Sequence, residues 1–382
     1  MTPPPETGAR LRREVRHGDP GASDPVSDFG AAAKASLGED FGLYAGNANP
    51  DLARKICRYL GKELGRADVF EFANENIFVK ILDNVRERDV YLVQPTCSPV
   101  QKSIMELLIM IDAFKRASAG RITAVVPYYA YGRSDKKDQP RVPITARLIA
   151  DMIQVAGADR LLTMDLHQGQ IQGFFNIPVD ELTAVHLLSN YFRQKQMENV
   201  VVVTDLGFAK RARTFAALLD APLAVIEKRR VGNLDQAVLM NVIGEVRGKR
   251  AIIVDDEIDT GGTLMEVVRA LQREGTEEIY ACSTHGVLSG PAVERIRDSV
   301  LREVVVTDTI PLQPAKRIPV IKTLSVAPLI GEAIRRIHYG QSVGALFSSE
   351  IQLVQEMVLW EDGGMRTISS RPEPTPAGAG NP

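Results

Sequence analysis

The chain has 382 residues, a formal net charge of −2 and a hydrophobic fraction of 45%, values typical of a globular protein with room for two domains. The near-neutral charge argues against general nucleic-acid binding, and no apolar run approaches membrane-spanning length. The first thirty residues lack the apolar core of a signal peptide. Three widely separated cysteines favour a reducing compartment over a disulfide framework or zinc site: Cys57, Cys97 and Cys282. We therefore predict a cytoplasmic protein.

Composition divides the chain into segments. Residues 1–38 are rich in Pro, Gly, Ala, Ser and charge, which predicts a disordered N-terminal extension, and residues 363–382 predict a disordered tail. Between them we predict a first domain over residues 39–180 and a second domain over residues 181–338. Residues 349–362 carry apolar side chains at helical spacing, which predicts a helix packed on the body or on a neighbouring subunit, and residues 339–362 could complete the first domain.

Apolar strands alternate with amphipathic helices through both predicted domains. This alternation predicts an α/β fold with two parallel sheets covered by helices and a boundary near residue 180. We predict strands at residues 90–94, 122–127, 161–164, 200–204, 223–226, 251–254, 279–284, 304–307 and 321–326. We predict helices at residues 50–64, 99–119, 143–156, 184–196, 208–219, 264–274, 291–298 and 328–338.

The most informative segment runs from Ala251 to Leu264. A short apolar strand ends in carboxylates, and a Thr-Gly-Gly-Thr turn then leads into a helix. The glycines let backbone N–H groups approach an anion, and the helix start adds partial positive charge, so a phosphate is expected there. Asp255 and Asp256 would repel a bare phosphate, and ribose hydroxyls or magnesium suit them better. The segment therefore predicts a ribose 5-phosphate site formed by Asp255, Asp256, Asp259, Thr260, Gly261, Gly262 and Thr263.

The Asp-Asp-x-x-Asp-Thr-Gly-Gly-Thr pattern resembles the ribose-phosphate loop of two groups of enzymes. These are the type I phosphoribosyltransferases, which consume phosphoribosyl pyrophosphate, and the ribose-phosphate pyrophosphokinases, which make it. The resemblance implies two phosphoribosyltransferase-like domains, each with a mainly parallel sheet flanked by helices. The loop alone does not separate the two groups, so other segments must decide.

A second segment, residues 128–141, places aromatic residues before a dense set of charges, directly after a predicted strand. Aromatic rings and an arginine can hold a purine, and basic groups can meet a polyphosphate. The segment resembles the ATP-binding loop of the pyrophosphokinase family, with Ser134 in place of the usual Gln. The resemblance implies ATP contacts by Arg133, Ser134, Asp135, Lys136 and Lys137. Residues 72–77 resemble the family segment that reaches the ATP of a neighbouring subunit, which implies further contacts by Phe72, Asn74 and Asn76.

A third segment, residues 163–175, carries Asp165 and His167 at the end of a predicted strand. Alternate residues of an extended segment face the same way, so we expect these two side chains to share a site. A carboxylate and an imidazole suit a divalent metal or an ATP phosphate. The segment resembles the family's Asp-Leu-His-x-x-Gln-Ile-Gln-Gly-Phe-Phe motif, which implies a magnesium role for His167. Residues 204–211 resemble the family's Pro-Asp-x-Gly-Gly segment, which implies that Asp205 binds the metal.

A fourth segment places Lys228, Arg229 and Arg230 directly after a predicted buried strand. Clustered cations suit a loop that closes on a polyphosphate, because phosphoryl-type transfer depends on positioning and charge stabilisation. The segment resembles the family's catalytic loop, which implies that Lys228 and Arg230 stabilise the transferring groups. The implied reaction moves the β,γ-diphosphate of Mg-ATP to O1 of ribose 5-phosphate. The resemblance also implies a homohexamer, with inorganic phosphate and ADP as effectors.

Two alternatives remain open at this point. One is a phosphoribosyltransferase, against which stand the length of the chain, the second sheet and the His167 motif. The other is a non-catalytic regulatory homologue of the pyrophosphokinase. The intact His167 motif and the intact cations at Lys228 and Arg230 argue against it.

Overall fold

The computed structural model describes residues 37–230, 238–347, 358–361 and 364–367. Nearly all of the predicted N-terminal extension and most of the predicted tail lie outside these ranges. Residues 364–367, inside the predicted tail, form a strand that pairs with residues 358–361. The helix expected in residues 349–362 is wrong for residues 358–361, which form a strand, because β-branched and aromatic residues such as Val358 and Trp360 favour an extended backbone. The rest of that predicted helix lies outside the described residues.

A five-stranded sheet forms the first half of the molecule, and all of its neighbouring strands are parallel. In spatial order its strands are β1 (Phe41–Ala45), β4 (Asp89–Val93), β5 (Arg121–Val126), β6 (Arg160–Met164) and β7 (Val179–Leu182). A separate antiparallel hairpin consists of β2 (Ala67–Glu71) and β3 (Ile77–Ile81).

A seven-stranded sheet forms the second half. Its strands, in spatial order, are β10 (Val238–Ile243), β9 (Leu223–Arg230), β8 (Val200–Asp205), β11 (Arg250–Ile258), β12 (Glu278–Gly286), β13 (Leu301–Thr307) and β14 (Ile321–Leu324). All neighbouring strands are parallel except β10, which pairs antiparallel with β9. The final pair, β15 (Val358–Glu361) and β16 (Gly364–Thr367), belongs to neither sheet.

Helices cover both sheets, and one buried core joins the two sheets. They are α1 (Pro50–Leu60), α2 (Val100–Arg116), α3 (Thr145–Ala156), α4 (Val185–Gln194), α5 (Ala209–Leu218), α6 (Gly262–Arg273), α7 (Ala292–Arg297) and α8 (Ala327–His338). Buried side chains of α1, α4, α5 and α8 form a single cluster with residues of both sheets. Helices α2 and α3 cover the other face of the first sheet, and α6 and α7 cover the other face of the second. Short 3₁₀ turns lie at Gly169–Phe174, Pro314–Lys316 and Val343–Phe347.

The α/β prediction is confirmed, and the nine strands and eight helices predicted between residues 50 and 338 each correspond to an observed element. Sequence reasoning missed seven strands, namely β1, β2, β3, β7, β10, β15 and β16. Strands β2, β7 and β16 lack the long apolar run that marks a buried parallel strand. No helix within the described ranges combines the length and the apolar character needed to cross a membrane.

Asn49 joins the two halves at the start of α1. Its Oδ1 accepts a hydrogen bond from the Leu52 N–H at 3.2 Å, and its Nδ2 donates to the Asp308 carbonyl at 2.8 Å. Lys55, one turn further along α1, contacts Asp308 Oδ2 at 2.6 Å. Asp308 directly follows β13, so a helix of the first half is fixed to the second half at this point.

Replacing Asn49 with alanine is expected to lower the free energy of unfolding by about 2–4 kcal/mol, because it removes a helix cap and leaves the buried Asp308 carbonyl without its donor. Asn49→Ser keeps the capping oxygen and loses only the contact to Asp308, so a smaller loss is expected. Urea unfolding of both variants measures the two contributions. An equal loss in both would show that the cap itself contributes nothing.

Candidate active site at the strand ends

A cavity of about 260 Å³ opens at the carboxyl ends of β8 and β11. Parallel strands gather their carboxyl ends at one edge of a sheet, which is where ligands of α/β proteins bind. The cavity is lined by Arg133 and His167 from the first half and by Thr204, Asp205 and residues 253–264 from the second half. Both halves therefore contribute side chains to one site.

The predicted phosphate loop lies between β11 and α6. Gly261 has a φ of +72°, a left-handed conformation that glycine adopts without strain, and Gly262 begins the helix. The Thr260 carbonyl accepts a hydrogen bond from Arg295 Nη1 at 2.8 Å, and the Asp259 carboxylate accepts one from Ser289 Oγ. The loop is thus braced from behind, with the positive end of the α6 dipole directed at the cavity.

Two adjacent carboxyl groups on β11 have opposite proton affinities. Burial, and then the neighbouring Asp256 and Asp205, raise the pKa of Asp255 well above its usual range. Burial also pushes the pKa of Asp256 upward, but the hydrogen bonds from His167 and Asp255 outweigh it and the pKa is lowered. The carboxyl group of Asp255 is therefore harder to ionise than that of Asp256.

His167 reaches across from the first half to the second. Its Nδ1 lies 2.6 Å from Asp256 Oδ2, and this hydrogen bond raises the pKa of the imidazole even though burial opposes it. The contact joins residues 89 positions apart in the sequence. It places His167 beside the predicted ribose-phosphate residues. Nδ1 is used in this contact, and Nε2 is the second polar atom of the ring.

Asp165 and His167 do not share the cavity as expected, because His167 lines it and Asp165 does not. Asp165 has a φ of +38°, so the segment is not extended and the alternation on which that expectation depends fails. The Asp165 side chain is buried, and its Oδ2 accepts hydrogen bonds from the Ala184 N–H at 2.8 Å and from Thr284 Oγ1 at 2.6 Å. A metal-ligand role for Asp165 stays a prediction.

Arg133 also crosses between the halves and pairs with a residue that sequence reasoning missed. Its Nε contacts the carboxylate of Glu257, and its Nη1 lies 3.6 Å from Asp259 Oδ2. Burial raises the pKa of Glu257, although Arg133 acts in the opposite direction. The predicted strand stopped at residue 254, whereas β11 continues to Ile258 and carries Glu257 to the cavity. The acidic residue two positions after Asp255 was the available signal.

The remaining predicted ATP residues do not line this cavity. Ser134, Asp135, Lys136 and Lys137 follow Arg133 in the loop after β5, and Lys136 and Lys137 are exposed. Phe72, Asn74 and Asn76 lie at the turn of the β2–β3 hairpin, where Phe72 packs edge-on against the rings of Phe70 and Phe78. The hairpin is therefore an exposed aromatic surface rather than part of the cavity within one chain.

Lys228 and Arg230 lie at the end of β9. The parallel pairing of β9 with β8 stops at Ile226, opposite Asp205, whereas its pairing with β10 continues to Arg230. Beyond Ile226, the strand pairing of β9 within the described residues is therefore with β10. This end of β9 extends past the carboxyl end of β8, where Asp205 lines the cavity.

The fold and the ribose-phosphate loop define a two-domain protein of the phosphoribosyltransferase-like class. Residues 41–157 match the model described as the N-terminal domain of ribose phosphate pyrophosphokinase, and residues 231–348 match the phosphoribosyl synthetase-associated domain. The chain belongs to the ribose-phosphate pyrophosphokinase family.

Individual relatives agree with this assignment. A ribose-phosphate pyrophosphokinase from Caldanaerobacter subterraneus is 55% identical over 80% of this chain and 97% of its own length. One from Clostridium acetobutylicum is 51% identical over 82% of this chain and 99% of its own. The crystal structure of phosphoribosylpyrophosphate synthetase from Mycobacterium smegmatis, 42% identical, superimposes with a TM-score of 0.75 over 78% of this chain and 99% of that one.

Proposed function

We propose that this protein is a ribose-phosphate diphosphokinase. It transfers the β,γ-diphosphate of ATP to O1 of ribose 5-phosphate and gives 5-phospho-α-D-ribose 1-diphosphate and AMP for nucleotide biosynthesis. The observation that carries the proposal is the convergence of Arg133 and His167 from one half on the ribose-phosphate loop of the other half. The family membership favours this reaction over a phosphoribosyltransferase or a non-catalytic homologue.

Ribose 5-phosphate is assigned to the second half. The loop from Asp259 to Thr263 offers the phosphate backbone N–H groups and the α6 dipole. The two neighbouring acids on β11, Asp255 and Asp256, line the cavity and suit the sugar hydroxyls, because their carboxyl oxygens can accept hydrogen bonds from these hydroxyls. The sugar then lies with its anomeric carbon towards Arg133 and His167.

ATP is assigned to the side of the first half. Arg133 is the cationic group of that half at the cavity, and its present partners, Glu257 and Asp259, belong to the second half. A nucleotide phosphate that binds the Arg133 guanidinium would replace these carboxylates as its anionic partner. Ser134 to Lys137 follow in the same loop and are proposed to meet the rest of the nucleotide. Phe72, Asn74 and Asn76 are proposed to reach the nucleotide of a neighbouring subunit.

The cavity residues suit a magnesium ion whose remaining ligands come from the substrate phosphates and water. Among the described residues, no group of three or more His, Cys, Asp or Glu side chains is arranged to hold a metal ion. Magnesium is commonly bound by one or two protein ligands together with substrate phosphates and water. The acids of the cavity outnumber its cations, which favours a nucleotide that arrives with a divalent ion. His167 and Asp205 are proposed to contact that ion, which would neutralise phosphate charge.

The protein's own part in the chemistry is positioning and charge stabilisation. O1 of the sugar attacks the β-phosphorus in line, a bond forms between O1 and the β-phosphorus, and the bond from the β-phosphorus to the bridging oxygen of AMP breaks. Lys228 and Arg230 are proposed to stabilise the negative charge that develops on the AMP oxygen. No covalent intermediate with the protein is needed. A homohexamer, regulation by phosphate and ADP, and a cytoplasmic location are further proposals that rest on the family.

The reaction is tested by incubating the purified chain with ribose 5-phosphate, Mg-ATP and inorganic phosphate. We expect AMP and phosphoribosyl pyrophosphate to appear in equal amounts, and only when the sugar is present. Tight binding of ribose 5-phosphate without AMP would instead identify a regulatory homologue. Release of pyrophosphate that depends on an added base would identify a phosphoribosyltransferase.

A further inference from the structure

His285, near the end of β12, connects the two halves behind the cavity. It is 3% exposed, and its Nε2 lies 3.2 Å from both the Met164 and the Asp165 carbonyl oxygens, at the end of β6 in the first sheet. Its Nδ1 lies 3.0 Å from Thr309 Oγ1, in the segment after β13. The His285 imidazole thus forms hydrogen bonds to the end of β6 in the first half and to the segment after β13 in the second half, and it does not line the cavity.

These contacts fix which nitrogen carries the proton. Carbonyl oxygens can only accept, so Nε2 must be the donor to Met164 and Asp165. In the neutral ring Nδ1 is then an acceptor. Thr309 Oγ1 lies 3.0 Å from Nδ1 and 3.2 Å from the Thr284 carbonyl, which also accepts a hydrogen bond from Thr307 Oγ1 at 2.7 Å. A Thr309 hydroxyl that donates to Nδ1 keeps the proton on Nε2, where it can hold the first half.

The segment held by this imidazole leads directly to the active site. Asp165 has the unusual φ of +38°, and His167 follows two residues later. Thr284, adjacent to His285 on β12, donates to the Asp165 carboxylate at 2.6 Å. Two consecutive residues of one strand thus hold the backbone and the side chain of the same turn. A backbone in this region persists only where its surroundings stabilise it.

The same strand also sets the distance to the partner of His167. β12 pairs with β11, and His285 lies opposite Glu257 in the register, next to Asp256. Strand β12 therefore holds both Asp256, through its pairing with β11, and the turn before His167, through His285. A shift of that turn would open the 2.6 Å contact between His167 and Asp256.

We propose that His285 is a positioning residue: its Nε2–H, held in one tautomer by Thr309, orients the Asp165–Leu166–His167 turn and so places His167 at the cavity. The inference rests on the proposed function in its claim that His167 serves the nucleotide side of the reaction. Residues that orient a ligand from behind typically change activity or affinity by about tenfold to a hundredfold when they are replaced.

Thr309→Val and Thr309→Ser form the matched test, because valine keeps the shape of threonine and removes the hydroxyl, whereas serine keeps the hydroxyl. For Thr309→Val we expect kcat/KM for Mg-ATP to fall about tenfold to a hundredfold, with KM for ribose 5-phosphate unchanged. Thr309→Ser should behave like the parent enzyme. Among direct replacements, His285→Gln retains an N–H donor and should keep more activity than His285→Ala.

A second measurement does not depend on turnover. Imidazole N–H resonances report the tautomer of His285 and the protection of the His167 Nδ1 proton in its bond to Asp256. In Thr309→Val both signals should exchange faster with solvent. Unchanged resonances, or an equal rise in KM for both substrates, would overturn the positioning role. If the parent enzyme makes no phosphoribosyl pyrophosphate but Thr309→Val still shows these spectral changes, the proposed function is refuted and the imidazole contacts are established.

Discussion

Lys228→Ala is expected to lower turnover about a thousandfold, a typical loss when a group that stabilises transition-state charge is removed. Lys228 pairs with Met240 in the part of β9 that extends past β8. Its position at the cavity end of the sheet suits a cation that meets the triphosphate late in the reaction. Ribose 5-phosphate is proposed to bind to the loop after β11, so its dissociation constant should change little. Product formation and calorimetric binding of ribose 5-phosphate measure the two quantities separately.

Lys322→Ala provides the control for this substitution. Lys322 is an exposed residue of β14, the strand at the opposite edge of the same sheet. Its replacement removes the same charge from the same sheet without approaching the cavity, so turnover should be unchanged. If Lys228→Ala kept turnover within tenfold of the parent enzyme, or if it abolished sugar binding, its assignment as a stabiliser of the leaving group would be refuted.

Asp256→Asn is expected to lower kcat/KM about a hundredfold or more, because the substitution removes the charged partner of His167 and a predicted acceptor for the sugar. The same substitution should also shift the pKa of His167 in a direction that can be measured in the enzyme without substrates. The carboxylate stabilises the imidazolium, chiefly through its hydrogen bond, and so raises the pKa of His167. A neutral amide lacks that effect, and the pKa of His167 should fall.

A pH titration of the His167 ring signal by NMR checks this direction, with the signal identified by its loss in His167→Asn. Asp298→Asn, at the exposed end of α7, is the matched control and should leave both the His167 titration and the activity unchanged. An unchanged pKa of His167 in Asp256→Asn would show that the 2.6 Å contact does not govern its charge.

The parts of the fold that were predictable from sequence are those whose local pattern is strong. Buried parallel strands are short apolar runs, and the loop from Asp259 to Thr263 combines glycines, hydroxyls and a helix start in one continuous segment. The half-exposed β2–β3 hairpin offers no such run. Its aromatic residues, including Phe70 and Phe72, have exposed fractions of 47% and 48%.

The parts of the site that were not predictable depend on contacts between distant segments. Asp165 turns away from His167 because of a positive φ, which the residue type does not signal. Glu257 acts at the cavity because β11 is longer than its apolar run and because Arg133, far away in the sequence, lies opposite it. His285 contacts carbonyl groups 120 and 121 residues earlier in the chain. Neither spacing nor composition specifies such distances.

The shared core between the sheets has a consequence for the way substrates enter and leave. Tyr91 and Leu162 of the first sheet and Val202 and Val305 of the second belong to one buried cluster. A hinge that parted the halves would expose these side chains to water, at a cost of about 1.5–3 kcal/mol for each large one. Separation of the halves is therefore costly, and we expect ATP to enter and AMP to leave while this cluster stays closed.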